Sequence, residues 1–174
     1  YHVLGSFFGW CYQEELIQVN PMLRVEKIKL RKKPEEPLTE EQMEELRHHA
    51  RTKRETALIE FLYSTGCRIS EAVRLNRDDV DLDNREANVL GKGRKWRKVY
   101  LTHRAKYALA DYLNSRTDKS EALFGYDFSM VPEYLKRDNI VLRQTGEDGR
   151  LTKDAAADLI RKLGRRAGIR VETL

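Results

Sequence analysis

Cysteine is scarce in this sequence. Cys11 and Cys67 are the only two in 174 residues. Neither has a neighbour at metal-ligand spacing, and two thiols make no disulfide framework, so a secreted, cross-linked scaffold is excluded. A reducing, cytoplasmic setting is expected. Long apolar runs are missing too. None approaches the ~20 residues a membrane span requires, and no membrane association is expected. The N-terminal stretch YHVLGSFFGWCYQEEL lacks the basic start and small-residue cleavage site of a signal peptide. It also lacks an initial Met, which is read as the mark of a fragment. Internal repeats and low-complexity tracts are absent.

What is present is charge. Asp, Glu, Lys and Arg make up 35% of the chain, against 40% hydrophobic residues, and mean hydropathy is −0.69. That is a soluble globular balance, with length for one domain and a piece of another. The formal net charge is +5 and the isoelectric point about 9.2, which favours a polyanionic partner.

Apolar periodicity gives the organisation. Leu4, Phe7, Phe8, Cys11, Tyr12 and Leu16 form a stripe on a helix over 1–18, closed by Asn20-Pro21. The basic segment RVEKIKLRKK, residues 24–33, has no clean period and is followed by Pro34 and Pro37. It reads as a linker. Thr39, with Gln42 three residues on, is a capping box opening a helix over 39–51. Residues 54–65 form an apolar core helix, and Gly66 sits where a left-handed terminal residue is wanted. A short helix over 68–76 turns Ile69, Ala72, Val73 and Leu75 inward. Residues 86–90 and 99–101 read as strands joined by the basic loop GKGRKWRK. A helix over 103–115 follows. Between 118 and 150 a short strand near Leu123-Phe124 and a helix over 130–142 are expected. Thr152 caps a last helix over 153–167, ended by Gly168. The fold class is therefore α+β, mostly helical, with a small antiparallel sheet.

Two places attract chemical attention. Arg68 opens a helix, where a cation opposes the helix dipole. The plain reading is an ion pair with Glu71 one turn on. The other reading has Glu71 holding one edge of the guanidinium while its free edge clasps a phosphate. The loop over 91–98 carries five cations in eight residues. It is either a solvated turn with protective edge charge or a loop that enters a nucleic-acid groove. Gly91 and Gly93 permit a tight turn around Lys92, a mobile cation and proton donor. Trp96 either stacks on a partner or packs.

Together these pieces are an ordered pattern. The stretch STGCRISEAVRLNRDDVDLDNREANVLGKGRKWRKVYLT resembles the tyrosine recombinase, or phage integrase, family. Its first catalytic box reads Thr-Gly-x-Arg-x-x-Glu-x-x-x-Leu, and an Asp-rich turn, a strand, Gly-Lys-Gly and a second strand follow. LTEEQMEEL and LTKDAAADLIRKLGRRAGI are similar to flanking segments of the same family, so nearly the whole chain is covered. The resemblance implies that Arg68 binds the scissile phosphate and Lys92 assists the leaving 5′ oxygen, with Glu71 orienting Arg68. It implies phosphoryl transfer to a tyrosine without metal or cofactor.

The partners implied are double-stranded DNA and further protomers assembled on it. Phosphate contacts are expected from Arg94, Lys95, Arg97 and Lys98 on the hairpin and from Lys29, Arg31, Lys32 and Lys33 in the linker. Arg161, Lys162, Arg165 and Arg166 offer the same on the last helix. Residues 1–36 are then the last helix of a DNA-clamping domain with its linker, and 37–174 an incomplete catalytic domain. The family's His-x-x-Arg box and nucleophilic tyrosine are expected beyond Leu174. His48-His49-Ala50-Arg51 fits the box by spacing but precedes Arg68 on an acidic helix, and is read as coincidence. Tyr63 and Tyr112 fall on apolar faces and are assigned to the core. DDVDLDN alternates Asp as a calcium loop does, but Asn84 stands where Gly is needed and Leu90 where Glu is needed, so it is read as a polar turn. A non-catalytic DNA-binding module derived from an integrase, and a type IB topoisomerase relative, are the alternatives.

Overall fold

A computed structural model describes residues 2–26, 36–125 and 149–171. They form two compact units, residues 1–37 and 38–174. Among the described residues no helix is long and apolar enough to cross a membrane.

The first unit holds helix α1, His2–Gln13, and a single 3₁₀ turn, Pro21–Arg24. The helix stops five residues short of the expected 18. Leu16 N–H reaches back to Cys11 O at 2.9 Å, and Glu15 takes a left-handed φ of 57°. That closes the last turn before Asn20-Pro21 is reached. Of the apolar stripe only Cys11 is buried within the described residues. Leu4, Phe7 and Tyr12 stand exposed.

The second unit is α+β, as expected. Helix α2 is Glu40–His49, α3 Lys53–Thr65 and α4 Ile69–Ala72. Strands β1 (Val80–Asp81), β2 (Glu86–Leu90) and β3 (Trp96–Tyr100) form an antiparallel sheet in that order. A 3₁₀ turn, Arg77–Asp79, and helices α5, His103–Ser115, and α6, Lys153–Arg166, complete the described elements. The capping signals hold. Thr39 and Gln42 exchange both bonds of the capping box, at 3.2 and 3.0 Å. Thr152 accepts from Ala155 N–H at 3.2 Å, and Thr102 does the same for α5.

Helix α3 is the centre. Ala57 through Leu62 are all buried, and the helix packs against α5, β3 and α6. Phe61 meets Phe124 edge-on at 5.7 Å, and Tyr112 stacks on Phe124 at 6.0 Å. Each buried ring of this kind contributes ~2–3 kcal/mol of transfer free energy. Met43, Leu46, Ile59 and Leu163 form a second cluster between α2, α3 and α6. Tyr112 is core, as its position on α5 implied. Tyr63 is not: it is 49% exposed, with the Arg47 guanidinium 5.3 Å from its ring. It sits on the solvent side of a helix whose apolar content runs almost all round, so periodicity misplaced it.

The expected helix over 68–76 is a single turn. Beyond Ala72 the chain is claimed by distant partners. Arg150 donates to Val73 O and Leu75 O at 3.0 and 2.8 Å, and Leu123 N–H donates to Leu75 O at 2.8 Å. Asn76 pairs with Ala122, and Gly125 with Arg150, so the strand expected near 123–124 appears as two isolated bridges around Leu123 and Phe124. The helix expected over 130–142 lies outside the described residues.

Candidate phosphate-binding site

The site starts at the end of α3. Gly66 adopts a left-handed φ of 61°, which costs a glycine nothing, and donates its N–H to Leu62 O at 3.0 Å. The turn sends Cys67 into the core, 3% exposed. Burial pushes its thiol pKa up, so it is a packed, inert group. Arg68 comes next, in extended conformation, as the residue that caps α4.

Glu71 lies one turn on, with only 5% of it exposed. A buried carboxylate needs donors, and it has four. Oε2 accepts from Arg68 N–H at 3.0 Å and Arg97 Nη2 at 2.8 Å. Oε1 accepts from Arg68 Nη1 and Arg97 Nη1, each at 3.2 Å. The Arg97 contacts dominate. With the Arg68 N–H behind them, they hold the carboxyl at about 2 against the opposing effect of burial. The carboxylate also answers the problem of a cation at a helix start, because it returns charge to the N-terminal turn.

The hairpin supplies the other side. Strand β3 begins at Trp96, three residues earlier than expected, so the loop spans 91–95 and Gly91 N–H donates to Lys95 O at 2.9 Å. Three successive polar or aromatic residues concealed the strand. Arg97 shares a face with buried Val99, and this face looks toward Glu71. Gly91 is a close-approach glycine. A Cβ there would stand 2.7 Å from Arg97 Nη1 and 3.7 Å from Glu71 Oε1. Gly93 and Arg94 at the tip take φ of 76° and 57°.

The sequence-derived cations therefore divide. Arg68 makes one side-chain bond to Glu71 and keeps 69% of its side chain exposed. Lys92, Arg94 and Lys95 are exposed, and no carboxylate among the described residues pairs with them. Arg97 is committed to Glu71, and Lys98 pairs with Glu86 at 2.8 Å. Lys29, Arg31, Lys32 and Lys33 lie outside the described residues. Glu71 links the two segments of interest. It touches Arg68 directly and lies beside Gly91, the residue before Lys92. The bond from Arg97 to Glu71 was not foreseen from sequence, although the alternation of Arg97 with Val99 carried the signal.

The acidic turn behaves as a turn. Asp79 accepts from Asn76 N–H at 2.7 Å, and Asp81 accepts from both nitrogens of Asn84 at 2.9 and 2.7 Å. Hydrogen bonds from Asn84 hold the Asp81 carboxyl below its usual range. Among the described residues no group of three His, Cys, Asp or Glu is placed to hold a metal ion. Another carboxylate, Glu60, is 2% exposed and receives Arg47 through Nε and Nη2. It ties α2 to α3.

The profile of the phage integrase family matches residues 36–173. The chain belongs to the phage integrase family. Relatives of this tyrosine recombinase family include the tyrosine recombinase XerD of Bifidobacterium longum, 38% identical over 116 residues. That alignment covers 67% of this chain and 35% of the relative, so the chain spans about a third of that protein's length. Among solved structures, a XerA recombinase superposes with a TM-score of 0.60 at 26% identity, covering 78% of this chain and 44% of that one. A lambda integrase dimer bound to a COC′ core site gives a TM-score of 0.65 at 14% identity, over 98% of this chain and 57% of that one. At that identity the likeness is one of fold. This phage integrase family member thus shares the overall fold of those recombinases.

Proposed function

We propose that the chain serves a site-specific DNA recombinase or integrase of a phage or other mobile element, acting in the cytoplasm without a cofactor. Its substrate is double-stranded DNA, on which several protomers assemble. Residues 1–36 are read as the end of a DNA-clamping domain, and 37–174 as part of the catalytic domain. The observation that carries this reading is the Glu71 cluster. Two guanidiniums share one carboxylate, so the cluster keeps a net positive charge, and Arg68 retains unused N–H donors facing solvent. A phosphodiester oxygen fits those donors.

In this reading a tyrosine phenolate attacks the phosphorus, forming the 3′-phosphotyrosyl bond as the P–O5′ bond breaks. The 5′ oxygen departs with a proton from Lys92. Arg68 holds a non-bridging oxygen as charge develops on it. The reverse attack, by a 5′-hydroxyl of another strand, rejoins the DNA. No tyrosine of residues 1–174 is assigned as nucleophile.

A suicide-substrate assay on the full-length gene product tests this. A covalent protein–DNA adduct is expected, lost in Arg68→Ala. Binding of DNA without any adduct would favour the non-catalytic module instead.

A further inference from the structure

Arg97 was grouped by sequence with the cations that meet DNA, yet its guanidinium, 40% exposed, is bound through both terminal nitrogens to Glu71. We infer that Arg97 is a positioning residue for Arg68: it grips Glu71 through both oxygens, so that Glu71 orients Arg68 without neutralising it, and it locks the Lys92 hairpin to α4. The inference rests on the proposed phosphate-binding role of Arg68.

Three observations carry it. The first is stoichiometry of charge. Were Glu71 to face Arg68 alone, the pair would sum to zero, and a phosphate arriving there would meet a neutral partner. Arg97 restores one positive charge without itself leaving the protein. Its two bonds, at 2.8 and 3.2 Å, form the parallel fork that only a guanidinium supplies.

The second is geometry. A carboxylate held by a single flexible arginine rotates about its last side-chain torsion. Here the Arg97 fork and the Arg68 N–H together fix the plane of the Glu71 carboxylate. Oε1 is thereby set 3.2 Å from Arg68 Nη1. Arg68 is 69% exposed and has no other side-chain partner among the described residues. The fixed carboxylate is thus the one directional restraint on its guanidinium among them.

The third is Gly91. The space above the Arg97–Glu71 contact is filled by backbone at a residue without Cβ, and a methyl group there would stand 2.7 Å from Arg97 Nη1. The contact is with the flexible end of Arg97, so an added methyl acts by pushing the guanidinium off Glu71. Displacing Arg97 is therefore expected to release Arg68 and to loosen the base of the hairpin that carries Lys92.

The test uses Arg97→Gln, Arg97→Lys and Gly91→Ala. In the full-length protein, adduct formation with a suicide duplex is followed as a function of DNA concentration. Positioning predicts that Arg97→Gln lowers the rate at saturating DNA roughly 10–100-fold, with half-saturation changed by less than about twofold. Arg97→Lys recovers little, because an ammonium cannot make the fork, and Gly91→Ala falls in the same direction. A weaker half-saturation with an unchanged saturated rate would make Arg97 a DNA contact and overturn the inference.

In the 174-residue chain, nitrogen-15 spectra of the arginine guanidinium groups supply a readout independent of catalysis. Restricted rotation of the Arg68 Nη groups is expected in the wild type and lost in Arg97→Gln. Arg68 signals identical in the two proteins would also overturn the inference. If Arg97→Gln does not fold, Arg97→Lys is read by the same spectra. If the wild type forms no adduct at all, it is the proposed function that fails, and the guanidinium spectra still decide the positioning role.

Discussion

Arg68 and Arg97, on segments 29 residues apart in sequence, donate to the same atom, Oε1 of Glu71, each at 3.2 Å. A helix start and a hairpin are joined there by one buried negative charge. The consequences of that arrangement, and of the core beneath it, are open to measurement.

Removing the Arg68 side chain separates function from folding. The guanidinium is mostly in solvent and makes a single side-chain bond, so Arg68→Ala is expected to change stability by less than about 1 kcal/mol. Covalent adduct formation by the full-length protein is expected to fall by at least about 100-fold. Urea unfolding and the suicide-substrate assay read the two effects. A variant that loses stability and activity together would refute the separation.

Glu71 writes a signature into the pH dependence of stability. Its carboxyl lies at about 2 in the folded chain, below its ordinary value of 4.5. Between those values the unfolded chain binds a proton that the folded chain does not, so stability rises with pH across the window. The contribution is complete above pH 4.5 and is lost as pH falls toward 2. With solvent screening of the exposed guanidiniums it amounts to ~2 kcal/mol. Chemical denaturation from pH 6 to 2 should show a shallower acid slope in Glu71→Gln. An unchanged slope would place the linked proton elsewhere.

Glu60 makes a different prediction, because both it and its partner are withdrawn from water. Side-chain exposure is 2% for Glu60 and 13% for Arg47. Glu60→Ala takes the fork from a largely buried guanidinium, which keeps one bond to Glu44 at 2.6 Å, and should cost about 2 kcal/mol. Replacing Arg47 as well, with Leu, should return part of that loss. A double-mutant cycle with no coupling would show that the pair is incidental.

The aromatic core sets the largest penalty. Phe124 is fully buried between Phe61 and Tyr112. Phe124→Ala is expected to cost about 3–5 kcal/mol, seen as a lowered Tm in calorimetry. A Tm change of only a degree or two would mean that the cavity collapses.

DNA binding by the 174-residue chain should weaken steeply with salt. Each phosphate contact removed is expected to flatten the log–log slope by about 1. Lys92→Ala and Lys95→Ala, both exposed on the hairpin, should each do so, while Arg97→Gln should not. Fluorescence anisotropy from 50 to 200 mM salt distinguishes them.

Where sequence carries local chemistry, the structure was legible. Thr39 and Thr152 cap their helices, Gly66 ends one in the left-handed region, and 103–115 is helical at the expected bounds. Arg68 and Glu71 were paired by spacing alone. What escaped was fixed by remote contacts. The helix after Arg68 ends after one turn, its last bonds tightening to Arg74 N–H on Glu71 O and Leu75 N–H on Ala72 O, and Arg150 and Leu123 then take the free carbonyls of Val73 and Leu75. Strand β3 was half hidden because Trp96, Arg97 and Lys98 do not look like a strand until the partner of Arg97 is known. Tyr63 was misplaced because α3 is apolar nearly all round and its periodicity no longer names a face. Strand β1 was absorbed into the acidic turn, being only two residues long.

The clasp of Arg150 on residues 73–76 bears on the order in which the protein comes together. The guanidinium reaches back over a separation of 77 residues to the turn that follows Arg68. Contacts across so long a stretch form late, since closing the intervening loop is entropically costly. The turn after Arg68 should therefore gain its final shape only after the central helices have packed. A nascent chain still lacking residue 150 would present that turn unfastened.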